Sequence, residues 1–146
     1  MYLYFLTPFV AWFVAGILKF FTNSIRYRKL AFSHIGYGGM PSNHSAIVSS
    51  TLTLILLREG IDSPVFGVAV TYAFIVILDA NSLRREVAKH AEKINLLLKS
   101  RQCCVDGEVL RESIGHTKVE IFAGVVVGMA VAFFLYRTFL FYFLIY

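Results

Sequence analysis

Four apolar stretches constrain this chain more than anything else in it: residues 2–21, 45–57, 65–78 and 119–146. The first has the roughly 20 residues that a helix needs to cross a bilayer. The second and third are shorter, and they span only if neighbours bury their polar-flanked ends. The fourth is longer than one span requires. It either tilts or breaks near Arg137 into a span and a hydrophobic tail. The chain is 58% hydrophobic and only 16% charged over 146 residues, too few polar groups to coat a soluble domain of this size. The expectation is a single membrane-embedded domain over residues 1–146. Its fold class is all-α, an integral membrane bundle of about four transmembrane helices, or five if the tail re-enters. The N-terminal stretch lacks a basic leader and an evident cleavage site, so it reads as a retained helix rather than a signal peptide.

The polar segment 81–118 separates the third and fourth stretches. Leu83, Val87, Ala91, Ile94 and Leu98 recur there at helical spacing, with charged residues off that stripe. An amphipathic helix lying along the membrane surface is expected, followed by a loop over 100–106. Cys103 and Cys104 are adjacent, which fits neither a redox pair nor a zinc knuckle. They read as unpaired thiols.

The charges are placed unevenly. Of fourteen Lys and Arg, only Arg58 and Arg137 fall outside the 19–29 and 84–118 regions. With four spans, the other twelve share one membrane face. The positive-inside rule makes that face cytoplasmic. The polar residues of the "GGMPSNHSA" stretch, Asp79, Arg84, Arg85 and His116 fall at the same face, so one site is implied.

Each part of that site has a chemical reading and a plainer one. Lys19 and Arg26 are two cations near one face, suited to phosphate oxygens, or they are snorkelling charges that set topology. Gly39 permits a close backbone approach, and Ser42 or Asn43 can cap the helix that follows. The start of that helix is a seat for phosphate, with His44 placed to donate a proton; the plainer reading is a capped turn. His116 and Glu120 are four apart and share a helix face, so the carboxylate could orient the imidazole as a nucleophile. Thr117 and Glu120 equally fit a capping box, in which Glu120 bonds backbone instead. Gly124 and Gly128 form a small-residue motif for close helix packing. Asp79 closes an apolar run and calls for a partner, with Arg84 or Arg85 available. A metal role for it lacks a second carboxylate nearby. His34 and His90 have no such context and read as solvated.

Taken together, these pieces resemble the type 2 phosphatidic acid phosphatases and the vanadium-dependent haloperoxidases, and most closely their small divergent membrane branch. The superfamily motif Lys-x6-Arg-Pro is matched by "KFFTNSIRY", 19–27, with Tyr27 in place of Pro. Pro-Ser-Gly-His is matched by "PSNH", 41–44, with Asn43 in place of Gly. The end of Ser-Arg-x5-His-x3-Asp is matched by "HTKVE", 116–120, with Glu120 in place of Asp. The arginine of that third motif is displaced. The divergent branch reads "DA-x-GVRR" and then "GHT", matched here by "DANSLRR" from Asp79 and by "GHT" from Gly115. The resemblance covers about residues 19–128.

The resemblance implies a lipid phosphatase, a phosphoric monoester or diphosphate hydrolase. His116 would attack phosphorus to give a phospho-histidine. Glu120 would orient it, and His44 would protonate the leaving group. Lys19, Arg26 and Arg84 or Arg85 would hold phosphate oxygens, with Arg111, five residues before His116, as a third arginine choice. Ser42 and the backbone of Gly39 or Asn43 would add donors. No metal or other cofactor is needed in that scheme. The implied partners are a lipid phosphate and the bilayer, with no nucleic acid, and a second copy of the chain is compatible with so thin a bundle. The implied location is a bacterial inner membrane, with the motif loops facing the cytoplasm. The alternative is a non-catalytic scaffold or anionic-lipid headgroup binder that keeps the pocket. A haloperoxidase would need a water-accessible vanadate shell that so short a chain hardly offers.

Overall fold

The computed structural model describes residues 2–27, 39–100, 109–112 and 115–145. Five α-helices account for nearly all of them: α1 (Tyr2–Tyr27), α2 (Asn43–Glu59), α3 (Pro64–Leu78), α4 (Arg84–Ser100) and α5 (Lys118–Ile145). A π-helical turn, Asp79–Leu83, joins α3 to α4 without a break. Among the described residues there is no strand. The molecule is an all-α membrane bundle.

Three segments are long and apolar enough to cross a membrane: 2–25, 118–142 and the apolar part of the run 64–98. The fourth helix of the bundle, α2, has 17 residues and a different character. It packs against α1, α3 and α5 and buries Ser45, Ser49 and Ser50. Buried hydroxyls are costly unless they are bonded. Here Ser49 donates to the Ser45 carbonyl at 2.6 Å and Ser50 to the Ile47 carbonyl at 2.8 Å. This back-bonding satisfies the hydroxyls within the helix and leaves a narrow surface on α2.

The glycines of α5 use that narrow surface. A Cβ on Gly124 would stand 2.4 Å from the Ser42 carbonyl oxygen, and one on Gly128 would stand 2.1 Å from Ser49 Oγ and 2.3 Å from the Ala46 carbonyl oxygen. The small-residue motif therefore packs α5 directly on the backbone of α2. Ser49 also donates to the Val125 carbonyl at 3.3 Å, and the Ser42 N–H donates to the Glu120 carbonyl at 2.9 Å. The starts of α2 and α5 are thereby fixed side by side.

Two expectations change. Helix α5 runs unbroken past Arg137 to Ile145, so among the described residues it does not break into a span and a tail; Arg137 stacks over Phe133. The amphipathic helix begins only after the π turn and covers Ala91 and Asn95, while Leu83 is 61% exposed. The covered face is shifted because Asn95 holds a returning segment: its amide donates to the Leu110 carbonyl and to Glu112, and its oxygen accepts from the Leu110 N–H. The basic loop with Arg28, Lys29 and His34, the cysteine pair, and the loop expected over 100–106 beyond Ser100 lie outside the described residues.

The opposite end of the bundle is tied by aromatic and ionic contacts. The Tyr4 hydroxyl donates to Glu59, and the Arg58 guanidinium lies over the rings of Tyr4 and Phe139. Helices α1, α2 and α5 meet there. The polar residues of interest meet at the other end.

Candidate active site

At that other end the last turns of α1, the start of α2, the π turn and the approach to α5 come together. Ser42 caps α2: its Oγ accepts from the Ser45 N–H at 3.4 Å and from the Ser45 hydroxyl at 3.1 Å. It is fully buried, and its hydroxyl oxygen serves the cap. Asn43 and His44 follow in the first turn and are half-buried. Among the described residues, Asn43 Oδ1 and His44 Nδ1 are buried without a hydrogen-bond partner.

Gly39 takes φ +123° and lies so close to Asn23 that a Cβ would come within 2.5 Å of the Asn23 side-chain oxygen. This is the close approach its lack of a side chain allows. Thr22 reaches across to the Met40 carbonyl, which ties the entry of α2 to α1. Lys19, three residues earlier, is half-buried, and its charge acts on His44, His116 and Glu120. Arg26 lies two helical turns further along α1; its side chain is outside the described residues.

The π turn does two things. Its Ala80 carbonyl accepts the His116 N–H at 3.2 Å, which fixes the backbone before α5. It also presents Asp79 and Arg84 to the site. Arg84 Nε donates to Asp79 Oδ2 at 2.9 Å, and Arg84 Nη2 lies 3.4 Å from His44 Nε2. Single π turns inside α-helices occur frequently at functional sites. Arg85 is used differently. Gly115, at φ +108°, packs against the Arg85 backbone nitrogen and Cγ, so Arg85 forms a wall under the turn that carries His116. Arg111 sits between Leu110 and Glu112, which are held on Asn95. That anchor is eleven residues along α4 from Arg84, roughly 16 Å of helix. The tertiary structure therefore places the Arg84 guanidinium against His44, the Arg85 backbone and Cγ beside Gly115, and Arg111 next to the Asn95 anchor.

The two histidine rings face each other with centroids 6.2 Å apart. His116 Nδ1 is 3.1 Å from the Gly115 carbonyl and 3.8 Å from Glu120 Oε2. Both the ring and the carboxylate are largely buried, at 11% and 15% exposed. Glu120 Oε2 accepts the Thr117 N–H at 2.9 Å, and Thr117 Oγ1 accepts the Glu120 N–H at 3.3 Å. The capping box therefore forms, and the ion-pair distance to His116 is kept beside it. Burial first, and the Lys19 charge second, push the His116 imidazolium below its ordinary value; the Gly115 carbonyl and Glu120 oppose them. The neutral imidazole is favoured, with its Nδ1 edge engaged by the Gly115 carbonyl.

A cavity of about 380 Å³ opens beside Glu120, lined by Thr22, Asn23, Met40, Thr117, Val119 and Glu120. Asn23 and the π turn were not anticipated from the sequence. The available signals were the "TN" pair within an otherwise apolar helix end and the small polar "ANS" after Asp79. No group of three or more metal-ligating side chains gathers among the described residues.

The family model described as the divergent PAP2 family matches residues 3–131. The chain is 32% identical over 138 residues to an uncharacterized membrane protein, YuiD, of Bacillus subtilis (strain 168), covering 85% of this chain and 87% of that relative. No solved structure matches. A helical membrane bundle that gathers two facing histidines, an arginine and a lysine at one end, with a family match over most of its length, belongs to the divergent PAP2 family.

Proposed function

We propose that this integral membrane protein hydrolyses a lipid phosphate or pyrophosphate through a phospho-histidine. One observation carries the reading: His116 and His44 face each other at 6.2 Å with Arg84 against the second ring. His116 Nε2 attacks phosphorus, and the bond to the leaving oxygen breaks. His44 gives that oxygen a proton, releasing a lipid alcohol from a monophosphate or a lipid monophosphate from a pyrophosphate. Water, losing its proton to His44, then attacks the phospho-histidine and frees inorganic phosphate. Arg84 and Lys19 hold the equatorial oxygens, where preorganised charge lowers the barrier most. Glu120 orients the imidazole. The headgroup end of the substrate meets the polar end of the bundle while its tail stays in the bilayer. The basic residues at that end support a cytoplasmic orientation in a bacterial inner membrane.

A second reading is supported by one contact. Glu120 bonds the Thr117 N–H at 2.9 Å but stands 3.8 Å from His116, an arrangement that suits a phosphate binder without turnover. The test is phosphate release by the detergent-purified protein from lipid monophosphates and polyprenyl pyrophosphates, with and without chelator. The His116→Ala variant runs in parallel. Chelator-resistant release that His116→Ala lacks is the expected result. Stoichiometric lipid binding with no release establishes the second reading.

A further inference from the structure

The hydrolytic scheme leaves one contact unexplained. An acid must carry a proton, yet a guanidinium nitrogen lies 3.4 Å from His44 Nε2. A guanidinium has donors only. Facing it, Nε2 must be the unprotonated, accepting nitrogen, and the ring must be neutral. The other nitrogen, Nδ1, is buried with no partner among the described residues.

We propose that Asp79 is the positioning residue of this site: it clamps the Arg84 guanidinium on the Nε2 edge of His44, and a bound phosphate draws the guanidinium away and lets that ring become charged. This rests on the phosphatase reading for its purpose, but its geometry is independent of turnover. The clamp has two ends on one guanidinium: Nε on Asp79 Oδ2 at 2.9 Å and Nη2 on His44. The five-residue span from Asp79 to Arg84 is bridged by the π turn. In a regular helix, residues five apart do not share a face; the π turn's extra residue per turn brings them together.

The surroundings of His44 explain why the switch needs an anion. Burial first, then Arg84 from α4, His116 from the approach to α5 and Lys19 from α1 all weigh against a charged ring, and Asp79 opposes them. A charged His44 is therefore disfavoured while the seat is empty. A phosphate brings negative charge to the same place. It offers Arg84 a bidentate partner stronger than an imidazole nitrogen, and it stabilises the imidazolium that the leaving group needs. The proton comes from solvent or from the phosphate itself, and no other reactant is involved.

The test is nitrogen NMR of the histidine side chains in the detergent-solubilised full chain near neutral pH, with His44 assigned by its loss in His44→Gln. Inorganic phosphate is the probe. Without phosphate, His44 is expected as the neutral tautomer protonated on Nδ1; with saturating phosphate it moves to the imidazolium signature. Asp79→Asn is expected to change the His44 signal in the phosphate-free protein and to weaken phosphate binding by roughly tenfold, the scale of one lost charge-assisted hydrogen bond. Asp79→Glu should restore part of both effects, which a merely structural role would not predict. A His44 ring protonated on Nε2 in the free protein overturns the clamp. So does a ring unchanged by phosphate, or an Asp79→Asn variant with wild-type His44 signals and phosphate affinity. None of these readouts requires hydrolysis, so failure of the phosphatase reading is separable from failure of the clamp.

Discussion

Glu120 lies one helical turn beyond His116, with its Oε2 3.8 Å from the imidazole Nδ1 and 2.9 Å from the Thr117 N–H. One carboxylate thus closes the first turn of α5 and sets a negative charge beside the His116 ring. The two roles separate by substitution. Glu120→Gln keeps an oxygen for the Thr117 N–H but loses the charge. Its unfolding midpoint should stay near wild type while phosphate release falls by roughly 10²-fold, the scale of a lost acid–base contribution. Glu120→Ala should in addition lose about 1 kcal/mol of stability with the cap. Wild-type turnover in Glu120→Gln would remove the carboxylate from the chemistry.

Packing of α5 on α2 sets the distance between the two histidines. Gly124→Ala and Gly128→Ala place a methyl group within 2.4 Å of the α2 backbone or Ser49. Each should destabilise the protein by about 1–3 kcal/mol, as overpacking does. Gly16 in α1 has nothing within 4 Å of where its Cβ would be. Gly16→Ala should therefore be neutral or stabilising, by up to about 1 kcal/mol. Thermal unfolding in one detergent compares all three, and equal midpoints would contradict the close α2–α5 contact.

Arg84 and Arg85 are neighbours in sequence with different surroundings. Arg84→Ala should lower kcat/KM by on the order of 10²–10³, as removal of one transition-state donor does. Arg85→Ala should cost far less, because it is Arg84 whose guanidinium lies against the His44 ring. Steady-state kinetics on the same lipid phosphate decide it, and a reversed order would reassign the phosphate arginine.

The pH profile follows from His116. Its imidazolium is disfavoured by burial and by Lys19, so the neutral nucleophile persists as pH falls below the ordinary value of 6.5. The acid limb of kcat/KM should lie below that value. Lys19→Gln removes a cation that penalises the charged ring, so His116 becomes easier to protonate and the limb moves to higher pH. A downward or absent shift would show that Lys19 does not act on His116.

Gly115 should tolerate no side chain. At φ +108°, with Arg85 Cγ 3.0 Å from the position of a Cβ, Gly115→Ala strains the turn and pushes on α4. Loss of the bond from the His116 N–H to the Ala80 carbonyl, read as faster amide exchange at His116, is the expected outcome.

Much of this was legible in the sequence. Apolar length and charge asymmetry are local properties, and a bilayer leaves a long apolar segment little choice but a helix. They determined an all-α membrane bundle and the end at which polar residues gather. The motif spacings determined which residues were worth following, and the glycine pair announced a close helix contact. The sequence left open which arginine serves the site, which side chain caps α2, and whether Glu120 bonds the imidazole or the backbone. Those depend on rotation about helix axes. Consecutive residues point about 100° apart in an α-helix, and the π turn after Leu78 resets that rotation for everything beyond it. Only the packed structure, with α5 seated on α2 and Ala80 holding His116, sets Arg84 against His44 and the Arg85 stem beside Gly115.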